Sequence, residues 1–248
     1  MTLPVYFDPD VGEAAGSSIE LAGAEAHHAH VKRTRPGDHI DIVNGRGTRV
    51  TVEVTSITPA LVRGTVIART DDDTPPNPIT LVQALAKGGR DEAAIESAVE
   101  VGVLGIVPWQ ADRSIVRWSG PKAVKGRDKW QQVALAAMKQ SRQAHLPSVA
   151  APVTTVGLAG MVRAAVAAGG RVFICHETAS EPLSARAIDG SGPLWIIVGP
   201  EGGISDPELS ALVDAGGEPV LLGRSVLRSG TAGTVAATVL QVTSGHWR

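Results

Sequence analysis

Hydrophobic and polar positions divide the chain into a first part with a period of two and a second part in which strand and helix periods take turns. Val50-Thr51-Val52-Glu53-Val54 alternates cleanly, with its valines on one face, and Ile40-Asp41-Ile42 does the same. Leu61 to Ile67 is a third β-prone run. Gly37-Asp38 and Asn44-Gly45-Arg46-Gly47 supply turns between them. One short helix is expected near Ala24 to Arg33. A small barrel of roughly 70 residues is the natural solution.

Later in the chain, Ile79 to Leu85, Gly105 to Trp109, Arg171 to Cys175, Leu194 to Val198 and Pro219 to Leu222 read as strands. Ile95, Ala98, Val99 and Gly102 share one helical face. Trp130, Val133, Ala134, Ala137 and Met138 form the i, i+3, i+4, i+7, i+8 stripe of an amphipathic helix. Val235, Val239 and Val242 mark a final helix, with its apolar part over Thr231 to Gln241. Strands interleaved with helices predict an α/β unit on a parallel sheet. Between the two parts lies Arg69 to Pro78, where three aspartates repel one another and three prolines forbid a helix or a central strand. The predicted organisation is a β-barrel over 1–70, a linker over 71–78 and an α/β domain over 79–248.

Composition narrows the classes. The 248 residues are 43% hydrophobic but only 3% aromatic, so aliphatic side chains must fill the core. A formal net charge of −2 excludes a globally basic nucleic-acid binder and leaves room for local basic faces. Four such clusters stand out: Lys32, Arg33 and Arg35; Lys87 and Arg90; Lys122, Lys125, Arg127 and Lys129; Lys139 and Arg142. Lys139 and Arg142 lie opposite the apolar stripe of their helix. A solvated charged face would account for any one of them equally well. The single cysteine, Cys175, fits a reducing compartment and a packing role. No apolar run is long enough to span a bilayer, and no basic-then-apolar leader is present. The chain reads as soluble and cytoplasmic. His27, His28 and His30 lack the partners of a zinc site, so no metal is expected. Trp109, Trp130 and Trp195 read as core; Trp118, beside Arg117, is open to stacking on a base.

The chemistry concentrates in two glycine-bearing loops. Ile196-Ile197-Val198 runs into Gly199-Pro200-Glu201-Gly202-Gly203, and Ser205 with Glu208 forms a capping box, with Pro207 in the first turn of the next helix. The second loop is Leu222-Gly223-Arg224-Ser225-Val226-Leu227-Arg228-Ser229-Gly230-Thr231-Ala232. Each follows a strand at the end where open α/β sheets bind ligands, and glycine lets a ligand lie against backbone. No nucleotide-phosphate motif is present, and Glu201 would repel phosphate. A carboxylate suits a positively charged ligand such as a sulfonium or an amine.

Gly-Pro-Glu-Gly-Gly followed by Leu-Gly-x-x-x-Leu-Arg-x-x-Thr-Ala resembles the SPOUT class of S-adenosylmethionine-dependent RNA methyltransferases. Lys87-Gly88-Gly89-Arg90, Glu100 to Val103, Arg113-Ser114, Arg127, Trp130, Lys139 to Arg142, Leu146-Pro147 and His27 to Asp38 narrow the likeness. Taken together, in order, they are similar to the bacterial 16S ribosomal RNA uridine N3-methyltransferases. The resemblance implies a small N-terminal PUA-like β-barrel that contacts RNA, and a C-terminal α/β domain with a trefoil knot. It implies S-adenosyl-L-methionine held by Gly199, Pro200, Glu201, Gly202 and Gly203 and by Leu222, Gly223, Ser225, Val226, Leu227, Arg228 and Ala232. The aliphatic residues Leu222, Val226 and Leu227 would flank adenine, and His176 would belong to a further wall. Arg228 would be the catalytic residue, stabilising negative charge on the base. Lys32, Arg33, Arg35, Lys87, Arg90, Lys139 and Arg142 would contact RNA. The implied substrate is uridine-1498 of 16S ribosomal RNA in the assembled 30S subunit, and the implied assembly is a homodimer. One departure stands out: Gly230 occupies a position where the family often has glutamate.

Overall fold

The structure is a computed structural model and describes residues 3–12 and 14–247. It divides into two compact units, residues 1–74 with 138–146 and residues 75–137 with 147–248.

The first unit contains β1 (Val5–Phe7), β2 (Ser18–Ala22), α1 (Gly23–Val31), β3 (His39–Val43), β4 (Thr48–Ile57) and β5 (Leu61–Asp71). The strands form one sheet in the order β1-β3-β4-β5-β2, antiparallel except where β1 runs beside β3. Val50, Val52 and Val54 are buried against Ile40, Ile42, Leu21 and Val62, as the alternation predicts. Gly64 is required by the close approach of β4, because a Cβ there would lie 2.3 Å from Val52 Cγ1. Two features depart from the simple pattern. Asp41, on the polar side of the Ile-Asp-Ile alternation, is buried too, and Arg49 at 2.9 Å and Thr51 at 2.8 Å hold its carboxylate. β5 also runs through Arg69 to Asp71, which the acidic and proline-rich composition assigns to the start of a strand-free stretch. Thr48 pairs with Asp71 there, and the hydrogen bonds from Arg69 and Thr48 hold the Asp71 carboxyl below its usual range.

Segment 138–146 belongs with this unit through Gly47 N to Ala144 O at 3.1 Å and Leu146 N to Gly45 O at 2.9 Å. Nothing in the period of two announces this return of the chain.

The second unit holds β6 (Ile79–Ala84), α2 (Arg90–Glu100), β7 (Val103–Gln110), α3 (Pro121–Gln140, its last turn counted with the first unit), β8 (Ser148–Val149), β9 (Val153–Thr154), α4 (Thr155–Ala167), β10 (Arg171–Cys175), β11 (Leu194–Val198), α5 (Asp206–Asp214), β12 (Glu218–Val220) and α6 (Ser229–Thr243). The sheet is parallel throughout, in the order β12-β10-β11-β6-β7-β8, with β9 also pairing to β7. From β6 the chain goes out to β7 and β8 on one side, then returns to build β10, β11 and β12 on the other. This reversal is the arrangement that leaves a crevice at the carboxyl ends of strands. Val82, Ile174 and Ile197 pack with Leu158, Val162 and Leu212 in one core. The expected strand at Pro219 to Leu222 is shorter and earlier, Glu218–Val220. Gly102 lies past the end of α2 with φ +92°, where it turns the chain into β7 instead of completing a helical face. Among the described residues no helix is long and apolar enough to cross a membrane.

Candidate active site

At the carboxyl ends of β10, β11 and β12 lies a cavity of about 910 Å³. Its walls are the strand exits Cys175–Thr178, Val198–Ile204 and Leu221–Gly230, with Arg90 at the start of α2, Arg113 after β7, Asp206 and Ala232.

The first glycine loop is held from every side. A bond of 2.9 Å from Gly203 N to Pro200 O closes a tight turn, with Gly203 at φ +75°, a conformation that favours glycine. A Cβ on Gly199 would lie 2.6 Å from Cγ1 of the buried Ile204. Arg113 donates to Gly202 O at 2.9 Å, and a Cβ on Gly202 would lie 3.2 Å from Arg113 Cβ. Behind the loop, the capping box of Ser205 and Glu208 forms as expected. Glu208, 2% exposed, also accepts from Asp112 N at 2.8 Å and Thr155 Oγ1 at 2.7 Å. Trp109 donates its indole N–H to the same Thr155 hydroxyl at 3.2 Å. Burial raises the Glu208 pKa, but the donors from Asp112, Thr155 and Ser205 outweigh it and leave the carboxyl below its usual range.

The second loop is anchored at its ends. Leu221 exchanges backbone hydrogen bonds with Glu181 O and Leu183 N, both 2.9 Å. At the other end Arg228 is the N-cap residue of α6, its carbonyl accepting from Thr231 N and Ala232 N. Between them Gly223 to Val226 are exposed, Val226 at 79%. Ser229 joins the loops by donating to Gly199 O at 2.8 Å and accepting from Gln83 Nε2 at 3.0 Å. Gln83 is fully buried at the end of β6, and its Oε1 has no hydrogen-bond partner.

The lining carries both signs of charge. Arg90 pairs with Glu201 at 3.3 Å, and Glu177 and Asp206 are further carboxylates. Arg224 and Arg228 are exposed. His176 Nδ1 lies 2.9 Å from Thr178 Oγ1 and accepts from Thr178 N at 3.4 Å. Cys175 ends β10 half-buried, and desolvation pushes its thiol up to about 12, so it stays protonated at neutral pH.

The structure brings together every residue that the sequence reading assigned to the cofactor, from His176 through the two loops to Ala232. Arg90, expected to contact RNA, lines this cavity too. Lys87 is exposed, and Lys32, Arg33 and Arg35 are exposed in the first unit, Arg33 at φ +62°. Lys139 differs from expectation. It is not on an open face, since its side chain is 18% exposed and Glu25 holds its ammonium at 2.5 Å. Arg142 remains exposed, with its carbonyl taken by Arg49 at 2.7 Å. His27, His28 and His30 are exposed, and among the described residues no group of three or more His, Cys, Asp or Glu side chains could hold a metal ion. The cavity roles of Arg113, Gln83 and Ser229 and the wider role of Glu208 escaped the sequence reading. Only Gln83 left a signal, as the one polar residue in the run Leu81 to Leu85.

A parallel α/β sheet with a glycine-walled cavity at its carboxyl edge, preceded by a small β unit, defines a class of two-part cofactor enzymes. The family described as RNA methyltransferase domain matches residues 73–241, and the RNA methyltransferase PUA domain matches residues 21–67. The chain belongs to this family of RNA methyltransferases, with a PUA-like first domain and an α/β second domain. It is 39% identical over 240 residues to the Ribosomal RNA small subunit methyltransferase E of Mycobacterium bovis, covering 96% of this chain and 90% of the relative. The protein of that name from Bacillus subtilis is 29% identical over 232 residues, covering 90% and 89%. The same-named protein of Neisseria gonorrhoeae, solved with S-adenosyl methionine bound, matches with a TM-score of 0.86 at 26% identity, covering 97% of this chain and 98% of that one.

Proposed function

We propose that the chain methylates N3 of a uridine in 16S ribosomal RNA of the small subunit, using S-adenosyl-L-methionine bound in the cavity between the two glycine loops. The observation that carries this reading is the convergence of both loops on one cavity, in a chain so similar to small-subunit ribosomal RNA methyltransferases. The cavity suits the cofactor. Its volume is in the range of sites for ligands of that size. Leu222, Val226 and Leu227 offer aliphatic surface for adenine, and Glu177, Glu201 and Asp206 offer charge opposite to a sulfonium. Gly199 and Gly203 leave backbone free of Cβ atoms. When bound, the cofactor supplies the methyl group as an electrophile. The trefoil knot, the assembled 30S substrate, the homodimer, the cytoplasmic setting and RNA docking by Lys32, Arg33, Arg35 and Arg142 on the first unit belong to the same reading.

The protein's own part is to hold the base and its charge. Uracil N3 must lose a proton as it gains a methyl group, so negative charge grows on the flanking carbonyls. Arg228 stands exposed at the rim of the cavity and is assigned to that charge, a role worth roughly 3–4 kcal/mol for a preorganised donor. Water, Glu201 and His176, whose Nδ1 contacts Thr178, are the candidate proton acceptors. A carboxylate at position 230 is not needed for the fold: a Cβ on Gly230 would lie 3.3 Å from Arg90 O, so a larger residue requires the start of α2 to yield.

The test is incubation of the purified protein with unmodified small ribosomal subunits and the cofactor, followed by mass spectrometry of the digested nucleosides. The expected product is 3-methyluridine. A ribose-methylated nucleoside, or methylation of another base, would replace the N3 assignment while keeping the enzyme class.

A further inference from the structure

Across the start of α2 from the cofactor cavity lies a second, smaller pocket of about 300 Å³. Gly88, Gly89, Asp91 and Glu92 form one side, and Val116 and Trp118 another, with Lys122, Lys125 and Lys129 of α3 on the rim. Arg90 faces the first cavity, while its chain neighbours Gly89 and Asp91 face the second, so one residue of backbone separates them.

The pocket is built around an indole. Trp118 is half-exposed and fixed by a 2.7 Å hydrogen bond from its backbone N–H to Gln110 Oε1. Its ring stands edge-on to the buried Trp130, with centroids 5.2 Å apart and planes at 68°. The adjoining face of α3 gives way to it, since a Cβ on Gly126 would lie 2.6 Å from the Trp118 ring. A glycine inside a helix costs about 1 kcal/mol relative to alanine. Here that cost makes room for the indole to lie against the helix. Lys122, Lys125 and Lys129 recur at i, i+3 and i+7, on the helical face that carries Gly126. Lys129 pairs with Glu92 at 2.5 Å, whereas Lys122 and Lys125 are exposed. In the floor, Asp91 is 6% exposed and receives Glu92 N at 3.0 Å and Ala86 N at 3.4 Å. Each of its oxygens can accept a further hydrogen bond. Burial pushes its carboxyl up, in keeping with a polar group that has no cation of its own.

An aromatic face, a buried hydrogen-bonding group and two uncommitted ammonium groups are the parts of a site for one unpaired nucleotide. We infer that this pocket receives a nucleotide next to the methylated one, its base on Trp118 and its phosphate at Lys122 and Lys125. The inference rests on the function proposed above. It assigns the RNA substrate a second foothold on the α/β unit, one residue away from the methyl-transfer cavity.

The test uses the full chain and needs no turnover. Binding is measured by fluorescence anisotropy with two labelled RNA octamers of equal phosphate count, oligouridylate and its fully abasic counterpart. Unmodified small ribosomal subunits serve as a third probe. Stacking on Trp118 should make the wild type prefer the octamer with bases by roughly 5-fold or more. Trp118→Leu should erase that preference. Lys122→Glu with Lys125→Glu, at exposed positions, should weaken both octamers and the subunits about tenfold and flatten the salt dependence. Calorimetry with S-adenosylmethionine should show unchanged cofactor affinity in both variants, which certifies the fold. Subunit affinity unchanged in both variants would overturn the inference, as would a base preference that survives Trp118→Leu. Absence of methylation by a wild type that binds as described would remove the proposed reaction and leave the pocket as an RNA site.

Discussion

The two loops that wall the cavity are made in opposite ways. Gly199 to Ser205 is fixed by a tight turn, by Ile204 inserted beneath it, by Arg113 from outside and by the buried Glu208 behind it. Leu221 to Arg228 is fixed only where it leaves β12 and where it enters α6, and Gly223 to Val226 between those points face solvent. One loop is a preformed wall, and the other is a strap with an exposed middle. The first can be tested through stability and cofactor binding, and the second through binding and turnover.

Arg228→Ala should have the largest effect. Turnover should fall roughly 100-fold or more, about 3 kcal/mol in the barrier, while calorimetric affinity for S-adenosylmethionine holds. Unchanged turnover would remove Arg228 from the chemistry and reduce the strap to a binding element. Glu208→Ala should cost about 3 kcal/mol of stability in denaturant unfolding, because it leaves the Asp112 and Ser205 N–H groups and the Thr155 hydroxyl without their acceptor. A loss under 1 kcal/mol would mean the wall does not depend on its buried carboxylate. Gly199→Ala should weaken cofactor binding about tenfold, roughly 1.4 kcal/mol, since Ile204 must move to admit the methyl group. Val226→Ser, at an open site, should leave stability within about 0.5 kcal/mol and shift only cofactor affinity.

The same contrast has a pH signature. The Glu208 carboxyl sits below its ordinary value of 4.5, so the folded state favours its charged form. Its contribution to stability is complete above that value and disappears as pH falls through the lower, folded one. Denaturant midpoints measured across the range of carboxyl titration, roughly pH 6 to 3, should drop less steeply in Glu208→Gln than in the wild type. Parallel curves would show that other carboxylates dominate.

Legibility followed the range of the interactions. The valines of β4, the stripe of α3 and the capping box of α5 are local patterns, and each formed where the spacing put it. The loop residues of the cavity were legible because they are consecutive in the chain. What escaped depends on partners far away. Lys139 looked free on its helix, but Glu25, 114 positions earlier, closes on it. Asp41 broke the alternation because Arg49 and Thr51 could neutralise and satisfy it. Gln83 was visible as an odd residue, though its partner Ser229 is 146 positions away. Arg113 acts on Gly202 from 89 positions away and carries no mark of that in its own segment.

The long-range tie between Gln83, Ser229 and Gly199 also sets a schedule. β6 opens the α/β unit, and α6 comes after all its strands, with Gln241 reaching back to Val101 O at 2.8 Å. The strand that starts the unit therefore waits for a helix synthesised 146 residues later before its Gln83 amide meets Ser229. A nascent chain halted before α6 has both halves of the sheet but lacks the Ser229 bridge. The tie between the two loops thus arrives with the last helix, and interrupted synthesis yields a fragment without it.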